Sequence, residues 1–285
     1  MKYLLIPLLI LTFLLGSVNY EESQPIERGA ENEKYYSVLY LATFKPHLTS
    51  KNHRKEYANL YLKGNTSIFQ WYGIRKQDSI QLHRKLENED VSKYYSLEQY
   101  AIEFYNNQLT YYDNIGYDEY EYKEKINHQW KLGDKSKNIA GYNCKNAFVD
   151  YGGRSWEAWY TLEIPINAGP YKFKGLPGLI IKITDSTYSY DFEVTEIKNK
   201  KKLILKKTYH EMSDKDRYQT NRSSFNLLKH RFKSMSFNER ISYMNRNKEA
   251  NQEVVFTDEN GNEASFRDIK FSKTLNLIEI DHESK

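Results

Sequence analysis

Residues able to act as nucleophile, base or metal ligand are sparse in this chain. Cys144 is the sole cysteine, and the seven histidines stand at positions 47, 53, 83, 128, 210, 230 and 282. None of these histidines falls at H-x-H or H-x-x-x-H spacing. His210-Glu211 continues as Met212-Ser213-Asp214, so the H-E-x-x-H zinc pattern fails. A thiol nucleophile needs partial exposure and a neighbouring base to lower its pKa. Cys144, next to Lys145 and with His128 one strand upstream, is the best such constellation here. The competing reading is a small buried hydrophobe between Tyr142 and Phe148. The G-x-S-x-G elbow and the G-x-G-x-x-G and G-x-x-x-x-G-K phosphate loops are absent. Glu157 and Glu163 fall on the polar parity of their strand, where alternation predicts solvent. No catalytic residue, cofactor or metal is assigned on these grounds. The densest aromatic and basic cluster is Arg154, Trp156, Trp159 and Tyr160, which suits a surface for a sugar, peptide or lipid and equally suits cross-strand aromatic pairing.

The elements that must position these residues are mostly strands. Tyr36 to Phe44 alternates. Glu56 to Lys63 and Thr66 to Tyr72 flank Gly64-Asn65, a hairpin signal, and Ala101 to Tyr105 and Gln108 to Tyr112 flank Asn106-Asn107. Tyr117 to Leu132 reads as one or two strands, and 76–99 as a short helix or long loop. Around Gly152-Gly153, a two-residue loop pairs Val149 with Trp156 and Phe148 with Glu157, mixing apolar and charged residues. A three-residue loop, Gly152-Gly153-Arg154, puts Tyr142, Cys144 and Phe148 on one face with Trp156, Ala158 and Tyr160, and the buried-face requirement favours it. Leu176-Pro177-Gly178 predicts a type II turn with positive φ at Gly178, ahead of a central strand over Leu179 to Thr184. Tyr190 to Ile197 returns, and Leu203 to Thr208 follows a turn at Lys198 to Lys202. Phe225, Leu228, Phe232 and Met235 then predict a helix capped by Ser223 or Ser224, and Ser236 with Glu239 a capping box for a second helix. Strands around Glu253 to Thr257 and Leu275 to Ile280 close the chain. The fold class is therefore mainly β, a curved antiparallel sheet or half-barrel, with two short helices inserted near the C-terminal part.

Composition bounds the rest. The 42 Lys+Arg against 38 Asp+Glu give only +4, too balanced for a nucleic-acid arm. Charge is segregated all the same, with net +9 over 195–250 and net −4 over 251–285. Aliphatic residues are few, and 26 Tyr, 13 Phe and 4 Trp must supply much of the core. Residues 1–18, with Lys2 ahead of an apolar run from Leu4 to Leu15, read as a signal peptide too short to span a bilayer. Residues 19–34 read as an acid-rich flexible leader and 35–285 as a single β-rich domain. An exported monomer with one cysteine has no intrachain disulfide and relies on packing.

Gly175-Leu176-Pro177-Gly178-Leu179-Ile180 spells GLPGLI, preceded by Gly169-Pro170-Tyr171-Lys172-Phe173 and, upstream, by Ala158-Trp159-Tyr160-Thr161 and Gly152-Gly153-Arg154. Over about Trp130 to Ile197 the chain resembles the GLPGLI family, secreted proteins of Gram-negative bacteria without an assigned activity. Asn276 to Ile280 is similar to that family's closing N-P-I-E-L, with Leu277 in place of Pro. The resemblance implies export and a β-rich domain but no reaction. The expected protein is periplasmic, outer-membrane-associated or extracellular. It is non-catalytic and holds a hydrophobic or peptide ligand in the concavity of its sheet. Its partners are a lipid, a peptide or another envelope component, not nucleic acid, with no membrane span after signal removal. The alternatives are a hydrolase using Cys144 or carboxylates, and an interaction module using the basic 198–248 region.

Overall fold

Alternation along the first strand sets the pattern for the whole sheet. In the computed structural model, which describes residues 35–47, 49–72, 100–200, 217–246 and 277–279, β1 (Tyr35–Phe44) buries Val38, Tyr40, Ala42 and Phe44 and leaves the intervening side chains partly exposed. The expected signal and leader, the 76–99 segment and the strands at Leu203 to Thr208 and Glu253 to Thr257 lie outside the described residues.

Two meanders build the sheet. The first runs through β1, β2 (Arg54–Lys63), β3 (Thr66–Trp71), β4 (Ala101–Tyr105), β5 (Gln108–Ile115) and β6 (Asp118–Lys125). The second runs through β7 (Lys131–Ile139), β8 (Tyr142–Tyr151), β9 (Arg154–Thr161), β10 (Leu179–Asp185) and β11 (Tyr190–Lys200). Pairing of β1 with β11 joins them into one twelve-stranded open sheet, of order β12-β6-β5-β4-β3-β2-β1-β11-β10-β9-β8-β7. Neighbours are antiparallel except β12 (Tyr218–Thr220), which lies parallel to β6. Two helices follow, α1 (Arg222–Ser234) and α2 (Phe237–Arg246).

The sheet curls strongly. β6 and β8 stand nine positions apart, about 43 Å across a flat sheet at ~4.8 Å per strand. Yet the rings of Tyr122 on β6 and Tyr151 on β8 lie 5.0 and 5.9 Å from the same atom, Lys172 Nζ. The inner face is lined with aromatics: Trp71 packs at 6.4 Å from Phe192, Tyr100 stacks on Tyr111, and Tyr111 stacks on Tyr122. The concave space is occupied by the chain's own β9–β10 loop, residues 162–178. From that loop Ile164, Ala168, Tyr171, Lys172, Phe173 and Leu176 are buried. Phe225 of α1 completes the packing against Tyr111 and Tyr122.

Several local expectations change. The β8–β9 hairpin takes the two-residue loop. Tyr151 pairs with Arg154, Val149 with Trp156 and Phe148 with Glu157. Gly152 (φ 64) and Gly153 (φ 77) both adopt the positive φ of a type I′ turn, whose twist matches the strands. The apparent mixing of faces resolves because Phe148 is 42% exposed while Ala147 and Val149 turn inward. At the hexapeptide the positive φ belongs to Gly175 (φ 107). Gly178 is required instead by close approach, since a Cβ there would lie 1.9 Å from the Thr161 carbonyl oxygen. The α1 cap is Asn221, whose side chain accepts from Ser224 N at 2.9 Å. The Ser236–Glu239 capping box forms as expected, with Ser236 N donating to Glu239 Oε2 at 2.7 Å. β11 runs on to Lys200, and residues 277–279 are not a strand but cross the inner side as an irregular segment.

Candidate functional site

The most unusual chemistry is buried where the β9–β10 loop meets α1 and the segment Leu277–Glu279. Lys172 is 0% exposed and Glu279 3%, and their ion pair closes at 2.7 Å. Glu279 takes five donors. Lys172, Tyr171 OH at 2.5 Å and Tyr151 OH at 3.2 Å meet Oε1. Arg222 Nε at 2.7 Å and Asn226 Nδ2 at 2.8 Å meet Oε2. Lys172 also pairs with Glu124 at 2.7 Å and donates to Tyr122 OH at 2.7 Å, inside a cage formed by the rings of Tyr111, Tyr122, Tyr151 and Tyr171. Burial alone would push the Glu279 carboxyl up. Lys172 and Arg222 overcome this and hold it well below the usual carboxylate range. Burial first, and the nearby Glu279 charge second, raise the Tyr122, Tyr151 and Tyr171 hydroxyls, so these remain protonated.

This arrangement is a lock. Every donor and acceptor named is spent on another part of the chain, and the β9–β10 loop, the end of β8 and α1 converge on one carboxylate. Gly152 approaches so closely that an added Cβ would lie 2.9 Å from Glu279 Cγ. A cavity of about 30 Å³ between Tyr100, Tyr111, Tyr171, Asn226 and Glu279 has room for a water molecule. The residues of the lock were visible in the sequence as Lys172 inside Tyr-Lys-Phe and Glu279 inside Ile-Glu-Ile, charges embedded in buried-type runs.

A second buried pair shapes the surface. Arg154 Nη1 meets Asp185 Oδ2 at 3.0 Å, and Nη2 donates to Leu277 O at 2.6 Å. Asp185 in turn accepts from Tyr190 N at 2.7 Å and from Thr187 Oγ1, organising the β10–β11 turn. That turn presents Tyr188, 71% exposed and at φ 55, a left-handed conformation disfavoured for an aromatic residue. Tyr188 and Phe148 flank an open groove of about 490 Å³ at the ends of β8, β9 and β10. Asp150, Ser155, Glu157 and Lys131 supply polar walls, and the largely buried Trp156 contributes to the lining.

The sequence cluster therefore divides. Arg154, Trp156 and Tyr160 point to the inner face of β9 and are buried, and Trp159 lies on the opposite face. Trp156 packs at 4.7 Å from Phe173 and donates to Tyr151 O at 3.0 Å. Cys144 pairs with Thr161, on the face of β8 opposite Ala147 and Val149, and does not share the Trp156 face. It is buried, and desolvation pushes its thiol up to about 11. His128 lies elsewhere, among Trp130, Tyr151 and Phe173 and hydrogen-bonded to Lys172 O at 3.1 Å, so the Cys144–His128 constellation does not assemble. Burial lowers its pKa to about 4.

Three basic side chains of the described part of the insertion also turn inward. Arg217 pairs with Glu119 and Glu121, Arg222 with Glu279 and Glu124, and Lys229 with Asp113 at 2.5 Å. Among the described residues no helix is long and apolar enough to cross a membrane, and no three His, Cys, Asp or Glu side chains converge as a metal-binding group.

These features define a curled, open, mainly antiparallel β protein whose interior is filled by its own loop and fastened by buried ion pairs. A family model described as a protein of unknown function (Porph_ging) matches residues 153–182, from the β8–β9 turn through the hexapeptide into β10. No curated protein matches the chain. Two crystal forms of PNGF-II, in space groups C2 and P21, are similar in fold, with TM-scores of 0.51 and 0.50, each at 15% identity over 71% of this chain. The chain spans about a third (34%) of the PNGF-II chains it matches. At that identity the likeness concerns the fold alone.

Proposed function

We propose that this is an exported, non-catalytic binding protein of the bacterial envelope, and that it holds an extended peptide in the groove between Phe148 and Tyr188. The groove itself carries the reading. It offers two exposed aromatic rings and polar walls of both charge signs, with Tyr188 at a left-handed φ on a turn organised by Asp185, the partner of Arg154. Mixed polar walls suit a peptide backbone better than a lipid tail. The inner face, by contrast, is filled by residues 162–178. A non-catalytic role is supported by the spent state of its reactive groups, since Glu279 is saturated with donors and the Cys144 thiol is raised. Export is supported by the apolar run after Lys2.

Panning a displayed library of short peptides against the purified protein tests this. Peptides should be enriched, and Phe148→Ser with Tyr188→Ser should weaken them at least tenfold without lowering thermal stability, since both side chains are exposed. Enrichment of none, or peptides that bind the double variant equally well, would overturn the assignment.

A further inference from the structure

The buried and half-buried cations described above, Lys172, Arg154, Arg217, Arg222 and Lys229, meet carboxylates, as does Lys182 of β10 with Asp191 and Glu193. Lys174 is half-buried and differs. Among the described residues its ammonium touches only the Phe104 ring, 4.7 Å to the centroid, and Asn107 Oδ1 at 3.1 Å. It lies in a groove of about 560 Å³, between the β2–β3 turn, the β4–β5 turn and the β9–β10 loop. Lys174 is the sole charged residue of that lining, which otherwise consists of carboxamides, hydroxyls and a few apolar side chains.

Two carboxamides of the lining are engaged in the same way. Asn107 Oδ1 is taken by Lys174, and Asn167 Oδ1 is taken by the backbone N of Gly175. Each amide oxygen is engaged, so each NH₂ remains as a donor. The donors sit on rigid supports. Asn106 (φ 47) and Asn107 (φ 64) form a tight turn, and Trp130 Nε1 donates to Lys174 O at 2.8 Å. Burial also lowers the Lys174 pKa, as expected of a cation without a counter-charge.

We infer that this groove binds an oxyanion, a carboxylate or phosphate carried on a small polar molecule, with Lys174 as its charge partner and the Asn107 and Asn167 amides as donors. A cation desolvated without a partner gains most from an anion that brings acceptors. This site is separate in its residues from the peptide groove, and neither reading depends on the other.

Titration of the isotope-labelled full chain with glucuronate, inorganic phosphate and glucose, followed by the Asn side-chain amide resonances, provides the test. Glucuronate or phosphate should give saturable shifts at Asn107 and Asn167, and whichever binds more tightly identifies the head group. Glucose should give none. Lys174→Gln should weaken binding at least tenfold, and Asn107→Asp, which supplies an internal carboxylate while tolerating the left-handed backbone, should do the same. Absence of saturable shifts from both anions, equal binding of glucose, or affinity within twofold in both variants would overturn the inference.

Discussion

Glu279 spends both carboxylate oxygens on five donors drawn from the β9–β10 loop, the β8 end and α1. Removing its charge leaves buried Lys172 with Glu124 alone and deprives Arg222 of its shorter ion pair, and breaking a buried pair typically costs about 3–5 kcal/mol. Glu279→Gln should therefore lower the unfolding free energy by about 3 kcal/mol in urea titration, far more than removal of a surface carboxylate. The sign of the pH effect follows from the depressed folded pKa. Its contribution is fully present above the ordinary value of 4.5 and is lost as pH falls below it. His128 acts at higher pH. Neutral in the folded state down to about 4 and protonated from about 6.5 in the unfolded chain, it favours unfolding as pH drops from 6.5 to 4. His128→Gln should flatten the stability profile in that window by on the order of 2 kcal/mol, while the Glu279-dependent loss below 4.5 persists. Cys144, raised to about 11, should resist thiol labelling at pH 8 in the native protein and react once denatured.

At the scale of elements, much of the sheet was legible. Alternation in β1 and the turns Gly64-Asn65 and Asn106-Asn107 place the hairpins where they occur, because apolar period and turn residues are local properties. The β8–β9 register was not. The burial criterion assumed that Phe148 enters the core, whereas the twin positive φ values of Gly152 and Gly153 decide the loop and leave Phe148 beside the groove. Gly178 teaches a related lesson. A turn rule explains its presence by φ, but the true constraint is the carbonyl of Thr161, a contact between segments that no local pattern records. Gly178→Ala should accordingly destabilise by more than ~3 kcal/mol, by displacing backbone that cannot give way. Asn221→Ala, which removes only a cap, should cost about 1 kcal/mol. Chemical denaturation of the two variants separates these values.

For the whole molecule, composition signalled an aromatic core, and it is found. The partners of the described basic residues of the helical insertion were hidden, because the pairs join residues more than fifty positions apart. Basic Arg217, Arg222 and Lys229 neutralise acidic side chains on β5, β6 and the 277–279 segment, fastening the helical insertion over the aromatic floor. The ligand-binding cluster expected around Trp156 was legible only in part. Trp156 borders the groove, but the exposed rings that flank it, Phe148 and Tyr188, come from a register and a strained turn that alternation does not reveal. The concave interior is filled by the chain's own 162–178 loop, which leaves the outer groove for the proposed ligand. Native mass spectrometry of the protein recovered from its own host tests this most directly. The expected result is the bare polypeptide mass, or a peptide adduct that Phe148→Ser with Tyr188→Ser abolishes. An apolar molecule retained by both the wild-type protein and that double variant would contradict it.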